Sequence, residues 1–209
     1  MREGGGAWVR LRADLARYDP TGGARGVKRV LRIALGTEAA WALTTFRLGQ
    51  YLQTEAPGWL RQAAKAPYAL LHRWVRGRVG IHLYPTTEIG GGLYIGHYGG
   101  VWISPWARIG EGCNINHEVT IGVAANHQAP TLGDRVWVGP KATISGGVQV
   151  GSGAVISANS LVVSDVPENG VVIGVPARLI SQAGSKALLT PRPLGAPLHD
   201  ASAQAPTAA

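Results

Sequence analysis

Six histidines and one cysteine are the side chains of this sequence best suited to chemistry at neutral pH. Imidazole ordinarily titrates there, so it can take a proton from an attacking hydroxyl or, when neutral, hold a metal ion. His97 stands in Ile95-Gly96-His97-Tyr98-Gly99-Gly100, and His117 in Asn114-Ile115-Asn116-His117-Glu118. His127 follows in Ala125-Asn126-His127-Gln128-Ala129-Pro130, and His82 precedes Pro85 by three residues. Two chemistries fit such a set: general-base catalysis by one histidine, or a zinc site cast from His97, His117 and His127. Glu118, beside His117, has the chemistry to orient a histidine or bind an acceptor hydroxyl.

The elements that position these residues repeat. Large aliphatics recur every six residues at Leu83, Ile89, Ile95 and Val101, then from Ile103 through Ile109 and Ile115 to Ile121. After an insertion across Val123–Thr131 they resume at Leu132, Val138, Ile144, Val150, Ile156 and Val162. Four residues after most of them sits a small or modest residue, such as Ala107, Cys113, Val136, Ala142 or Ala154. An amphipathic helix needs a period near 3.6, and a hairpin sheet needs alternation with longer turns. A period of six instead gives a triangular coil, with a flat strand and a corner per hexad and three hexads per turn. The aliphatics then stack in the lumen, and His97, just past one of them, leaves it. The two register breaks bracket the expected site. Cys113 takes a small inward position, which makes it a core thiol and a poor nucleophile.

Residues 1–80 read as helical. Pro57-Gly58 separates a first apolar periodicity, reaching Leu52, from a second over roughly Leu60 to Val75. In the second, Leu70, Leu71, Trp74 and Val75 lie near one face and Arg61, Lys65, Arg73 and Arg76 on another, a pattern fit for packing on the next domain or for peripheral contact with a membrane. The expected division is a helical segment 1–80, a β-helix 81–180 and a mostly disordered Ala/Pro/Ser-rich tail 181–209.

Charge follows the same division. Residues 1–80 carry fourteen Lys and Arg against five Asp and Glu, whereas residues 81–180 carry four against six. No nucleic-acid motif accompanies the basic segment, so no nucleic-acid partner is expected. The lone cysteine excludes an internal disulfide framework, and a reducing, cytoplasmic setting follows. Met1–Trp8 is glycine-rich rather than apolar, and Thr37–Phe46 is too short to span a bilayer.

The run Ile89-Gly-Gly-Gly-Leu-Tyr-Ile-Gly-His97-Tyr-Gly-Gly, the hexads after it and the closing Gly174-Val-Pro-Ala-Arg178 resemble the hexapeptide-repeat acyltransferases. Within them the sequence is most similar to serine acetyltransferase and its relatives in exopolysaccharide gene clusters. Leu11-Arg-Ala-Asp-Leu-Ala-Arg-Tyr18 and Phe46-Arg-Leu-Gly-Gln-Tyr-Leu52 look similar to the N-terminal part of that group. The resemblance implies a left-handed parallel β-helix, a homotrimer, and acetyl transfer from acetyl-CoA to a hydroxyl with no metal. It makes His97 the base, with His117 and Glu118 beside it, and direct attack the mechanism. Lys141, Ala142, Gly146, Gly147, Ala158 and Arg178 become the coenzyme A contacts, with Lys186 a weaker phosphate partner. His82 and the insertion residues Asn126, His127 and Gln128 become the acceptor contacts.

Three departures bear on the acceptor. Serine acetyltransferases carry aspartates where His82 and Gly96 stand here, and an Arg-His-Pro in place of Gln128-Ala129-Pro130. Those groups orient the base and hold serine's charged ends, so the expected acceptor is L-serine or a sugar unit of an exopolysaccharide. The competing readings are a trimeric zinc hydratase of carbonic-anhydrase type and a non-enzymatic scaffold docked on a membrane.

Overall fold

The computed structural model describes residues 5–19, 33, 36–97, 99–124 and 128–189. Short parallel strands wind into a three-faced prism. The first face stacks β1 (Ile81–His82), β4 (Val101–Ile103), β7 (Thr120–Gly122), β10 (Thr143–Ser145) and β13 (Leu161–Val162). The second stacks β2 (Glu88–Ile89), β5 (Arg108–Ile109), β8 (Thr131–Leu132) and β11 (Gln149–Val150). The third stacks β3 (Tyr94–Ile95), β6 (Asn114–Ile115), β9 (Trp137–Val138), β12 (Val155–Ile156), β14 (Val171–Gly174) and the antiparallel β15 (Ala177–Ser181).

The hexad aliphatics fill the lumen as their period requires. Ile89, Ile109, Leu132 and Val150 form one buried column, and Ile95, Ile115, Val138, Ile156 and Val172 another. Small residues occupy the corners, Cys113 among them, fully buried with its thiol 3.3 Å from the Gly133 carbonyl. Burial pushes that thiol up to about 12. Cys113 is therefore expected to resist alkylation by iodoacetamide in the native protein and to react only after denaturation. Prompt labelling of folded protein would contradict this, as judged by intact mass.

The break at Val101 and Ile103 resolves simply. Both side chains point inward from one three-residue strand, with the exposed Trp102 between them. The coil from Leu83 to Ile103 is two residues longer than that from Ile103 to Ile121, and the extra length sits around His97–Gly100. The second interruption lies elsewhere, between β7 and β8, so the two breaks occupy different edges of the prism.

Two edges turn through left-handed backbone in successive coils. One carries Gly92, Gly112, Arg135, Gly153 and Asn169, and the other Gly100, Glu118, Lys141 and Asn159. Glycine adopts this conformation freely, and other residues at a cost.

Three helices precede the prism among the described residues: α1 (Ala7–Ala16), α2 (Glu38–Thr54) and α3 (Gly58–Val79). Residues 20–32, 34 and 35 of the expected helical segment lie outside the description. The first coil has no neighbour below it, and the helices supply partners for its open edge. Arg47 donates to the Ile89 and Gly90 carbonyls, and Gln50 to Thr87. Asp14 accepts from the Leu93 amide at 2.8 Å, and the Tyr18 hydroxyl bridges the Ile95 amide and carbonyl. The whole Asp14–Arg47 pair, 2.8 Å apart, is fully buried.

Helix α3 corrects one expectation. It packs through Val75 and Val79, with Tyr68 and His72 half-buried and the Trp74 ring stacked on Trp41, while Leu70 and Leu71 face outward. At the other end of the chain, part of the expected tail folds back: the Ser185 amide donates to Gly153 and its hydroxyl contacts the Arg135 carbonyl. A short α4 (Lys186–Leu189) follows, and residues 190–209 lie outside the description.

Candidate active site

The corners that follow the third-face strands stack because those strands are in register. Two residues past the lumen aliphatics stand His97, His117, Pro140 and Ala158, in coils about 4.8 Å apart, and Lys141 follows Pro140 at the place equivalent to Glu118. One edge of the prism thus collects four of the residues singled out by sequence. The His97 and His117 rings meet edge to face, with centroids 5.5 Å apart. His97 is exposed, as its position after the lumen residue Ile95 requires. The His117 carbonyl accepts from the Lys141 amide, and the His117 Nδ1 is buried with no hydrogen-bond partner among the described residues.

Glu118 packs over Gly100 in the longer first coil, where a side chain would collide with it. Its carboxylate lies 3.7 Å from the Lys141 ammonium, with both groups about half exposed. Among the described residues it hydrogen-bonds neither imidazole, and Lys141 is the charged group that the fold places beside it.

The cofactor contacts divide. Arg178 lies on the β14–β15 hairpin above Ala158, where the Gly174 amide donates to Ser160, so it continues the same edge. Ala142 turns its methyl group into the prism, as its place in the hexad requires, which leaves its backbone to the groove. Gly146 and Gly147 lie on another edge, between the first and second faces, beside Ala124 and Gln128. A side chain at Gly147 would come within 2.7 Å of the Gln128 amide, so its absence lets the insertion lie flat on the next coil. Asn126 and His127 fall outside the described residues, and Lys186 opens α4 at the far end.

His82 sits on the first face with its ring stacked on Trp102, centroids 3.8 Å apart. Sequence reading missed this cluster. Arg76, in the last turn of α3, lies over Tyr84, and the Arg76 Nε is buried with no hydrogen-bond partner among the described residues. Burial, reinforced by Arg76 and His72, holds the His82 imidazole below its ordinary range and so favours the neutral ring. The Ile81–Val101 register would have exposed the His82–Trp102 contact had the coil length been counted first.

No group of three His, Cys, Asp or Glu able to hold a metal occurs among the described residues. A cavity of about 590 Å³ between α1, α2 and the second face is lined by Arg10, Gln50, Glu88 and Arg108, and by none of the histidines.

A hexad prism with a histidine-bearing edge and a Gly-Val-Pro-Ala-Arg hairpin defines a hexapeptide-repeat transferase built on a left-handed parallel β-helix. Residues 129–164 match the family described as "Bacterial transferase hexapeptide (six repeats)". The chain is 30% identical over 172 residues to a serine acetyltransferase of Bacillus licheniformis, spanning 81% of this chain and 75% of that protein. It also matches the Brucella abortus serine acetyltransferase solved with coenzyme A, at TM-score 0.67 and 30% identity over 83% of this chain and 67% of that one. The Neisseria gonorrhoeae serine acetyltransferase solved with serine matches at TM-score 0.68 and 27% identity, over 84% and 69%. The chain belongs to the serine acetyltransferase family. It spans between 29% and 67% of the length of seven other curated serine acetyltransferases that it matches.

Proposed function

We propose that this protein transfers the acetyl group of acetyl-CoA to the hydroxyl of L-serine. The observation that carries the reading is the edge that stacks His97 against His117 and runs through Lys141 and Ala158 to Arg178. His97 takes the hydroxyl proton as the serine oxygen attacks the thioester carbonyl. The tetrahedral oxyanion collapses with expulsion of the coenzyme A thiolate, which takes up the proton held by His97. No acyl-enzyme forms, since the buried Cys113 is out of reach. Lys141 and Arg178 meet the carrier's phosphates as charge-assisted partners, and the backbone along the same edge accompanies its extended arm.

Gln128, Gly146 and Gly147 lie on a different edge of the same prism, which supports a site completed by a second copy. An edge of one copy facing a different edge of the next is a heterologous contact, and three such contacts close a ring. We therefore propose a homotrimer with the active site between copies. We place it in the cytoplasm, in keeping with its single, buried thiol. No helix among the described residues is long and apolar enough to cross a membrane.

The acceptor is read from the named activity of the relatives and is tested directly. Coenzyme A release is measured with acetyl-CoA and L-serine, then with free, nucleotide-linked and lipid-linked sugars. Serine is expected to turn over. Turnover with a sugar alone would replace serine as the acceptor, and release with none of them would overturn acetyl transfer to either class.

A further inference from the structure

Helix α3 exposes apolar surface along its outer side, where among the described residues only Trp74 has an aromatic partner, its ring stacked on Trp41 of α2 with centroids 6.0 Å apart. Trp59, Leu70, Leu71 and Trp74 are 74%, 71%, 43% and 57% exposed. Together with the exposed Ala63, Ala66 and Pro67, they follow helical spacing on the side away from the buried Val75 and Val79. The two tryptophans stand fifteen residues apart, about 22 Å along the axis. The stripe's length therefore lies along the protein surface.

Charge identifies what covers it. The sequence Gly58–Val79 contains five Arg and Lys and no Asp or Glu. Arg61 is tied to the Leu52 and Ala56 carbonyls, and Arg76 lies over Tyr84. Lys65, Arg73 and Arg78 remain exposed and form no ion pair among the described residues. Pairing this stripe with its equivalent on another copy would bring cations against cations. An anionic lipid surface offers negative headgroups to the basic rims and hydrocarbon to the stripe, and indole rings favour the boundary between the two.

We propose that α3 docks the protein on an anionic bilayer, lying in the plane of the interface with Trp59, Leu70 and Leu71 inserted. The docked helix turns its Val75–Val79 side to the protein, and so holds the first coil of the prism next to the lipid.

The test is co-sedimentation of the full chain with vesicles of phosphatidylcholine mixed with phosphatidylglycerol, against vesicles of phosphatidylcholine alone. Binding to the mixed vesicles, weakened by salt and accompanied by a blue shift of tryptophan emission, is expected. The double substitution Trp59→Ser, Leu70→Ser should weaken that binding at least about tenfold, with the circular dichroism and the acetyl-transfer rate in solution unchanged. Absence of binding to the mixed vesicles overturns the proposal. Equal binding by the double variant overturns it too. If vesicles fail to bind and light scattering shows the variant losing mass, the stripe belongs to a second copy.

Discussion

Replacing His97 with alanine is expected to lower acetyl transfer by about a thousandfold, the middle of the range for loss of a positioned general base. The affinity for coenzyme A should stay within about twofold of the wild-type value, which calorimetry can check. The proposed cofactor contacts at Lys141 and Arg178 lie in later coils of the edge, and none depends on the His97 ring. The effect should therefore fall on kcat rather than on the KM for acetyl-CoA. His117 would not substitute, because its ring meets His97 edge to face and its Nδ1 is enclosed. An unchanged kcat in the alanine variant would remove His97 from the chemistry.

The second large effect is structural. Arg47→Met should destabilise the protein by about 3–5 kcal/mol, because it leaves the Asp14 carboxyl buried without its cation. It also strips the Ile89 and Gly90 carbonyls of their donor, reopening the first coil's edge. The pH dependence has a definite sign. Burial already raises Asp14 above the ordinary carboxylate value, against the opposing pull of Arg47 and the Leu93 amide. Without Arg47 the folded-state value rises further above that of the unfolded chain. Stability linked to the protonated acid is then complete below the unfolded value and is lost as pH rises through the folded one. The penalty of Arg47→Met should accordingly be smaller near pH 5 than near pH 8, as urea unfolding at the two values can show. A pH-independent loss, or one under about 1 kcal/mol, would mean that water reaches Asp14 and solvates it. The pair Asp14→Asn with Arg47→Met should recover part of the loss, since no charge is left unpaired.

Much of the prism was legible because lumen packing imposes its period directly on the sequence. Ile109, Ile115 and Ile121, and the small Ala107, Cys113 and Val119 between them, are where the hexads put them. The handedness of the coil came from family resemblance, since spacing alone is silent on it. Counting by complete coils separates what a hexad count blurs. His97 and His117 fall one coil apart on one edge, whereas Gln128 turns a different corner. Ala142 shows the same logic: its place in the hexad puts the small side chain in the inside corner, where the structure has it. The helical segment was less legible. A helical period marks an apolar stripe whether protein covers it or not, so packing and membrane contact were both open for Leu70 and Trp74, of which only Trp74 stacks on another side chain. The ties of Asp14, Arg17 and Tyr18 to the first coil cross 75 or more residues and leave no local pattern.

The left-handed corners carry one more consequence. Along the histidine edge the chain places Glu118 and Lys141 at φ near +60°, a conformation that costs residues with a Cβ about 1–2 kcal/mol and glycine very little. Gly92, Gly112 and Gly153 relax the neighbouring edge at equivalent turns, so an easier residue was within the architecture's reach. Arg135 and Asn169 bear the same cost on that neighbouring edge, so at each of these turns backbone ease is set against what the side chain contributes. Selection for heat resistance alone should drift Glu118 and Lys141 toward glycine or asparagine, and selection for turnover should hold them.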